Sequence, residues 1–378
     1  MSIDPLYPGP PRPQAGQEAP RCIVHLDLDA FYAAVEVIEH PEYKGQPIVI
    51  GGRPNERGVV ATASYPARAY GVRSAMPMAR ALQLCPHAIV LPPRHDVYRR
   101  YSRRVMELLH QVTGQFEQIS IDEAFLDLSA QLSSDQSSDW EQGIDVARDL
   151  QAQVRARVGL SASLGVATNK LVAKVASDRD KPGGLTVVRP GDEAAFLAPL
   201  PVRVLWGIGP VTAGKLAEMG VTTVGELAAL PERDLYARFG KQGRVMARHA
   251  RGIDRRPIKT EHEAKSISQE RTFARDLADE RAIKRELWQL CQGVSQRLQA
   301  ANLAACTLSI KLRYANFDTL TRQITLQVAT DNDQTIYRTA LLLLQRAWQR
   351  GLAVRLLGVG GQRLVPPPEQ RSTQLPLC

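Results

Sequence analysis

Two short acidic runs constrain this chain more than any other feature. The first is His25-Leu26-Asp27-Leu28-Asp29-Ala30-Phe31-Tyr32; the second is Ser120-Ile121-Asp122-Glu123-Ala124-Phe125-Leu126-Asp127. Each follows an apolar, β-prone stretch (Cys22-Ile23-Val24 and Gln118-Ile119) and places carboxylates where that stretch ends. Clustered carboxylates at a buried strand end repel one another and cost several kcal/mol of desolvation, so they call for a cation. Two such ends side by side would line a pocket with oxygen for a pair of Mg²⁺ ions, the apparatus of phosphoryl or nucleotidyl transfer. Either run alone is more commonly a strand end with solvated acids, so the chemical reading needs basic and Gly-rich partners.

Those partners are present. Gly58–Arg68 (Gly-Val-Val-Ala-Thr-Ala-Ser-Tyr-Pro-Ala-Arg) joins a β-prone run containing Thr62 to Tyr65 and Arg68. Ser163–Lys174 reads as strand, turn and helix, with Lys170 and Lys174 on one helix face. A triphosphate needs such compensating charge besides metal. On their own, the two lysines would read as a solvated face.

Composition points to a polyanionic partner. The net charge is +9, and residues 254–366 hold 18 Lys and Arg against 11 Asp and Glu. Five cysteines are scattered without a C-x-x-C, which speaks against a zinc site and a disulfide framework and fits the cytoplasm. No apolar run reaches transmembrane length, and no signal peptide is legible. The first twenty residues hold six prolines and are expected to be a disordered tail.

Patterning predicts an α+β chain. A strand at 21–28 leads into a helix at Phe31–Glu39; strands at Pro47–Gly51 and Val59–Ala63 follow. Helices are expected at Tyr98–Val112, Trp140–Val158 and Asn169–Ser177, with a strand at Ser161–Val166 and an exit at Lys181-Pro182-Gly183-Gly184. Asp122 and Glu123 are adjacent, so both reach one site only if the chain bends there. Residues 185–252 look helical. Within them Gly207-Ile208-Gly209 precedes a helix at Val211–Met219, a turn similar to the helix-hairpin-helix that holds a phosphate on backbone N–H groups. A plain helix–helix turn would read the same way. Residues 253–263 read as a linker. Strands at Leu308–Tyr314, Thr319–Val328 and Arg355–Leu364 and helices at 279–301 and 332–350 form a last small domain.

The runs HLDLDAFYAAVE, VVATASYPARAYGVRSAMP, SIDEAFLDLS, SLGVATNKLVAKVASDRDKPGG and LWGIGPVTAGKL resemble, in this order, the Y-family translesion DNA polymerases. The likeness covers about 21–366. It implies a right-hand polymerase: palm at 21–30 and 96–182, small fingers at 31–95, a helical thumb at 183–252, a linker at 253–263 and a little finger at 264–366. It further implies template-directed, error-prone synthesis past lesions, without a proofreading exonuclease. By resemblance Asp27, Asp122 and Glu123 are catalytic and hold two Mg²⁺ ions together with the Leu28 carbonyl. Phe31, Tyr32, Thr62, Tyr65, Arg68 and Lys174 contact the nucleotide, with Tyr32 as steric gate against ribonucleotides. Gly207, Gly209 and Lys215 hold DNA phosphate. Asp29 and Asp127 are expected to be structural, and Gly51, Gly52, Ser74 and Ala75 to leave room around the nascent pair. Primer-template DNA and dNTP are the expected partners of a cytoplasmic monomer. The tail 367–378 contains Gln374-Leu375-Pro376-Leu377, which resembles a sliding-clamp-binding peptide through Gln374, Leu375 and Leu377, although Cys378 departs from the usual ending.

Three other readings compete. Gly209–Lys215 satisfies G-x-x-x-x-G-K, but Leu216 replaces the Ser/Thr of a P-loop. A paired-metal nuclease or phosphohydrolase would share the carboxylates. A non-catalytic DNA-binding protein of the same fold would be expected to lack one of the acidic trio, and all three are present.

Overall fold

Alternation in Ile23-Val24-His25-Leu26-Asp27-Leu28 makes a strand buried along its whole length, with two different cores beneath its two faces. A computed structural model describes residues 20–131, 139–261 and 263–367. The strands in chain order are β1 (Ile23–Leu28), β2 (Ile48–Gly51), β3 (Val60–Ala63), β4 (Ile89–Leu91), β5 (Phe116–Gln118), β6 (Glu123–Asp127), β7 (Ala162–Ala167), β8 (Leu185–Val187), β9 (Ser266–Leu277), β10 (Ala304–Tyr314), β11 (Thr319–Thr330) and β12 (Val354–Val365). The described residues fall into two compact units. One is drawn from Met1–Ile50, Thr62–Tyr70 and His87–Glu261; the other from Gly51–Ala61, Gly71–Pro86 and His262–Cys378. The stretch 31–95, read from sequence as one domain, is thus shared between them.

The first unit is built on a sheet of order β5-β6-β1-β7-β8. β1 is central, antiparallel to both β6 and β7. Val24, Leu26 and Leu28 pack with Tyr98, Val105 and Leu109 of helix His95–Val112 and Ala147, Leu150 and Val154 of helix Asp139–Val158. Ile23 instead joins Phe125 and Leu171, Val172 and Val175 of helix Lys170–Ser177. That helix lies close against β7: a Cβ on Gly165 would fall 2.0 Å from the Ala173 carbonyl oxygen. Asn169 caps it, accepting from Val172 N at 3.1 Å. Helices Pro210–Ala217, Val224–Ala229, Glu232–Phe239 and Lys241–Ala250 follow in the stretch read as helical.

The first half of the linker segment is anchored in this unit. Asp254 is buried, accepts both Nε and Nη2 of Arg256 at 2.8 Å and caps Leu171 N at 3.2 Å. Arg21 donates to the Asp254 and Arg256 carbonyls, and Lys259 N donates to Glu117 Oε2 at 2.8 Å.

The second unit centres on an antiparallel sheet of order β11-β10-β12-β9. Leu308, Ile310 and Leu312 of β10 and Leu357 and Val359 of β12 pack with Ile283, Leu287 and Val294 of helix Glu280–Ala300 and Ile336 and Leu343 of helix Asp333–Ala347. β9 was not foreseen: it is an edge strand, mostly exposed and poor in apolar residues. Also in this unit, Arg57 Nη1 meets Asp276 Oδ1 at 2.5 Å. Gly51 and Gly52 have a packing reason to be small. A Cβ on Gly51 would lie 2.2 Å from the Val59 carbonyl oxygen, and one on Gly52 2.8 Å from Gly58 Cα. Among the described residues, no helix is long and apolar enough to cross a membrane.

Candidate active site

Register alone brings the two acidic runs together. Asp27 of β1 stands opposite Glu123 of β6 and Ser163 of β7. The Asp27 and Glu123 side chains hydrogen-bond to each other. Burial, helped by that bond, pushes the Asp27 carboxyl up to about 7. Glu123 also feels burial, but the hydrogen bonds from Asp27 and Lys174 outweigh it and hold its carboxyl below the usual value.

Asp122 sits in the bend that the adjacency required. Its carbonyl accepts from Leu28 N at 3.0 Å, which ties the two strand ends together, and Ile119 N and Ser120 N both turn back to the Glu123 carbonyl. The Asp122 carboxylate accepts from Ser120 Oγ at 2.6 Å. Among the described residues, no three His, Cys, Asp or Glu side chains converge as a ready metal-holding group. The structure thus brings Asp27 and Glu123 into contact and leaves the Asp122 carboxylate on its own hairpin.

Two lysines neutralise the pair. Lys174 Nζ lies 2.8 Å from Glu123 Oε1, and Lys181 Nζ lies 2.8 Å from Asp27 Oδ2 and 2.7 Å from Asp178. Burial would lower the Lys181 pKa; the Asp27 and Asp178 carboxylates outweigh it and raise it. Sequence reasoning treated Lys181 only as part of an exit turn. The available signal was the Lys-Pro-Gly-Gly run itself, because Gly183 N donates to Asp29 Oδ2 at 2.8 Å and fixes that turn beside β1. Lys170, one helical turn before Lys174, is buried against Glu117 at 2.5 Å and belongs to the core.

His25 was also missed. It is fully buried, two residues before Asp27 on the same strand face, with Nδ1 2.7 Å from Ser177 Oγ. Ser177 donates its own proton to the Lys174 carbonyl, so Nδ1 carries the imidazole proton. Burial, then Lys174 and Lys181, hold its pKa well below the usual value, and the ring is neutral. It ties the lysine-bearing helix to β1.

Asp29 is structural, as its neighbours indicate. It accepts from Ser161 Oγ (2.7 Å), Ser163 Oγ (2.8 Å), Gly183 N (2.8 Å) and Tyr65 Oη (3.2 Å). Asp127 caps Ser129 N at 2.9 Å. Burial and the Asp29 carboxylate push the Tyr65 hydroxyl up to about 12, so it remains a donor. Arg68 lies over the Tyr65 ring at 4.9 Å, and its Nε donates to the Ala63 carbonyl. Thr62 is half-buried in β3. Phe31 is buried; Tyr32, half-buried, stacks on Tyr98 with centroids 4.1 Å apart.

The Gly-x-Gly turn takes its shape from backbone conformation. Gly207 has φ +94°, the left-handed region that favours glycine, and Gly209 is the N-cap residue of helix Pro210–Ala217. A short 3₁₀ turn, Val202–Val204, precedes it rather than a strand, which removes the P-loop reading. Lys215 lies in the last turn of that helix, away from the N–H groups of the turn. Arg203, Lys174, Trp206, Gly207 and Gly209 instead line one cleft of about 380 Å³. Gln374, Leu375 and Leu377 lie outside the described residues.

Three family models match the chain: the impB/mucB/samB family at residues 26–178, its C-terminal domain at 264–377, and the IMS family HHH motif at 190–221. The DNA polymerase IV of Desulfatibacillum aliphaticivorans is 44% identical over 346 residues, covering 91% of this chain and 86% of that protein. That of Halorhodospira halophila is 42% identical over 357 residues, covering 94% and 98%. A solved Y-family DNA polymerase chimera, Dbh-Dpo4(243-245)-Dbh, superposes with a TM-score of 0.81 at 28% identity, covering 91% of this chain and 99% of its own. The fold is a right-hand polymerase with palm, small fingers, a helical thumb bearing the helix-hairpin-helix and a C-terminal little finger. The chain belongs to the impB/mucB/samB family and is one of the Y-family DNA polymerases, similar throughout to bacterial DNA polymerase IV.

Proposed function

We propose that this chain is a template-directed DNA polymerase of the translesion type, which extends a primer 3′ end with deoxynucleotides. The observation that carries the reading is the contact of buried Asp27 with half-buried Glu123 at adjoining strand ends, flanked by Lys174 and Lys181. Carboxylates crowded together at adjoining strand ends are suitable hard-oxygen ligands for Mg²⁺. Asp27, Asp122, Glu123 and the Leu28 carbonyl would hold two such ions. Bound there, the metal would supply Lewis acidity, lowering the pKa of the primer 3′-OH and offsetting charge on the triphosphate.

The chain's own groups do the positioning. Lys181 and Lys174 neutralise the carboxylates and, with Tyr65 and Arg68, meet the triphosphate oxygens. The primer 3′ oxygen attacks the α-phosphorus, its proton passes to solvent water, and the bond to pyrophosphate breaks, so that pyrophosphate leaves. Tyr32 lies beneath the sugar as a gate, and Phe31 and Thr62 also contact the nucleotide. The Gly207–Gly209 turn offers N–H groups to a DNA phosphate, with Lys215 as a further cation. Base pairing supplies the sequence information, so the protein holds only backbone. The protein acts as a cytoplasmic monomer, and Gln374, Leu375 and Leu377 dock its end on a sliding clamp.

Primer extension on a primer-template with four deoxynucleotides and Mg²⁺ tests the reading. Templated extension is expected; hydrolysis of DNA without extension would favour a nuclease, and binding without extension a non-catalytic protein. Equal clamp stimulation with and without residues 372–378 would remove the docking role.

A further inference from the structure

Behind Tyr32 lies a closed network of aromatic and charged side chains. Helix Phe31–Glu39 carries Tyr32 and Glu36 one turn apart; Arg94 and Tyr98 lie one turn apart at the start of helix His95–Val112. The two pairs meet corner to corner. The Tyr32 and Tyr98 rings are nearly parallel, 15° apart with centroids at 4.1 Å. Tyr98 Oη donates to Glu36 Oε1 at 2.6 Å. Arg94 Nε donates to the same oxygen at 3.0 Å, and Arg94 Nη2 to Glu36 Oε2. The Glu36 side chain is 3% exposed and Tyr98 fully buried, while His95 closes the group edge-on to Tyr32 at 6.0 Å.

A buried carboxylate is costly unless its lone pairs are filled, and here three donors fill them. Glu36 adds nothing to the apolar core. What it does is fix the height and tilt of the Tyr98 ring, which in turn supports one face of Tyr32. A gate that rejects a 2′-OH by steric overlap works only if it cannot retreat by a fraction of an ångström. An aromatic ring at the start of a short helix, half-buried, has room to tilt unless its rear face is held.

We infer that Glu36 and Arg94 are positioning residues for sugar discrimination, acting through Tyr98 to hold the Tyr32 ring rigid. The inference rests on the reading of Tyr32 as the sugar gate, and the test separates the two. Single-nucleotide incorporation by the full chain gives the ratio of deoxynucleotide to ribonucleotide efficiency for wild type, Glu36→Gln, Tyr98→Phe, Tyr32→Ala and the Glu36→Gln/Tyr32→Ala double variant. Glu36→Gln removes the charge at constant size; Tyr98→Phe removes only the hydroxyl. Each should lower the ratio about three- to tenfold, the range expected for one anchoring hydrogen bond. Tyr32→Ala should lower it by orders of magnitude, and adding Glu36→Gln to it should change nothing further, because the ring being positioned is gone. A general loss of stability would lower both efficiencies and leave their ratio unmoved. If Glu36→Gln and Tyr98→Phe keep the wild-type ratio while Tyr32→Ala collapses it, the positioning role is wrong and the gate stands. If Tyr32→Ala also keeps the ratio, the gate reading and the inference fall together.

Discussion

Lys181 Nζ lies 2.8 Å from Asp27 Oδ2, so a lysine from a Pro-Gly turn reaches the carboxylate that ends the central strand. Its other partner, Asp178, is largely exposed, which leaves the ammonium able to change partners when a more negative group arrives. A triphosphate with its metal is such a group. The same ammonium would then stop neutralising Asp27 and neutralise phosphate instead.

Lys181→Ala should therefore weaken nucleotide use much more than DNA binding. Loss of one charge-assisted contact, about 1.5–3 kcal/mol, corresponds to roughly 10- to 150-fold in kcat/KM for the incoming nucleotide. Lys181→Arg should recover part of it. Steady-state single-nucleotide kinetics decide the matter, and an unchanged kcat/KM in Lys181→Ala would remove Lys181 from the site.

Asp122→Asn should abolish extension with duplex affinity nearly intact. The carboxylate accepts from Ser120 Oγ within its hairpin, while its backbone carbonyl holds Leu28. The substitution keeps that backbone bond and removes the charge alone. Extension at near wild-type rate would sink the assignment of Asp122 as a metal ligand; paired gel-shift titrations would show whether DNA binding was spared.

Much of this arrangement was legible in the chain because period and chemistry agree there. The helix over Phe31–Glu39 was bounded correctly, and the chain does turn at Asp122 ahead of β6, although only the Glu123 carboxylate meets Asp27 there. What escaped was long-range. Lys181 is distant in sequence from Asp27, and nothing local says that its turn folds back on β1. The linker looked polar because its apolar content is low, but Asp254 is buried through ion pairing with Arg256, which no periodicity reveals. β9 was invisible because its inward face carries only Ile267, Phe273 and Leu277 over twelve residues, too sparse to read as alternation. Helical spacing suggested one role for Lys170 and Lys174, yet β5 offers Glu117 to one and β6 offers Glu123 to the other.

The thumb helix Val224–Ala229 should show acid sensitivity through one group. Thr223 and Glu226 form a capping box. The backbone N–H groups of Thr222 and Thr223 hold the Glu226 carboxyl down to about 2, against an ordinary value of 4.5. A folded value below the unfolded one means that stability is present above pH 4.5 and lost as pH falls toward 2. Glu226→Gln should flatten that part of the stability–pH curve. A melting-temperature series from pH 5 to 2 that is unaltered by the substitution would count against it. Thr223→Ala, which removes the cap itself, should cost about 0.5–2 kcal/mol at neutral pH.

The little finger should carry a salt-sensitive share of DNA affinity through the sheet face that its helices leave uncovered. Along β10, Leu308, Ile310 and Leu312 join the core, so by alternation Lys311 and Arg313 point the other way. Lys311 is held 2.9 Å from Glu270 across the sheet, and Arg313 Nε 2.8 Å from Thr319 Oγ1. Both cations are therefore fixed on that face rather than trailing in solvent. A phosphate neutralised there releases counterions, and each such contact contributes about 0.9 to the slope of log affinity against log salt. Lys311→Ala with Arg313→Ala should lower the slope by roughly 1 to 2 and weaken binding about equally for unrelated sequences. Equilibrium binding to two duplexes of different sequence across a salt series measures both. A slope identical to wild type would mean that the phosphates lie elsewhere, and a loss confined to one duplex would mean that these side chains read bases rather than backbone.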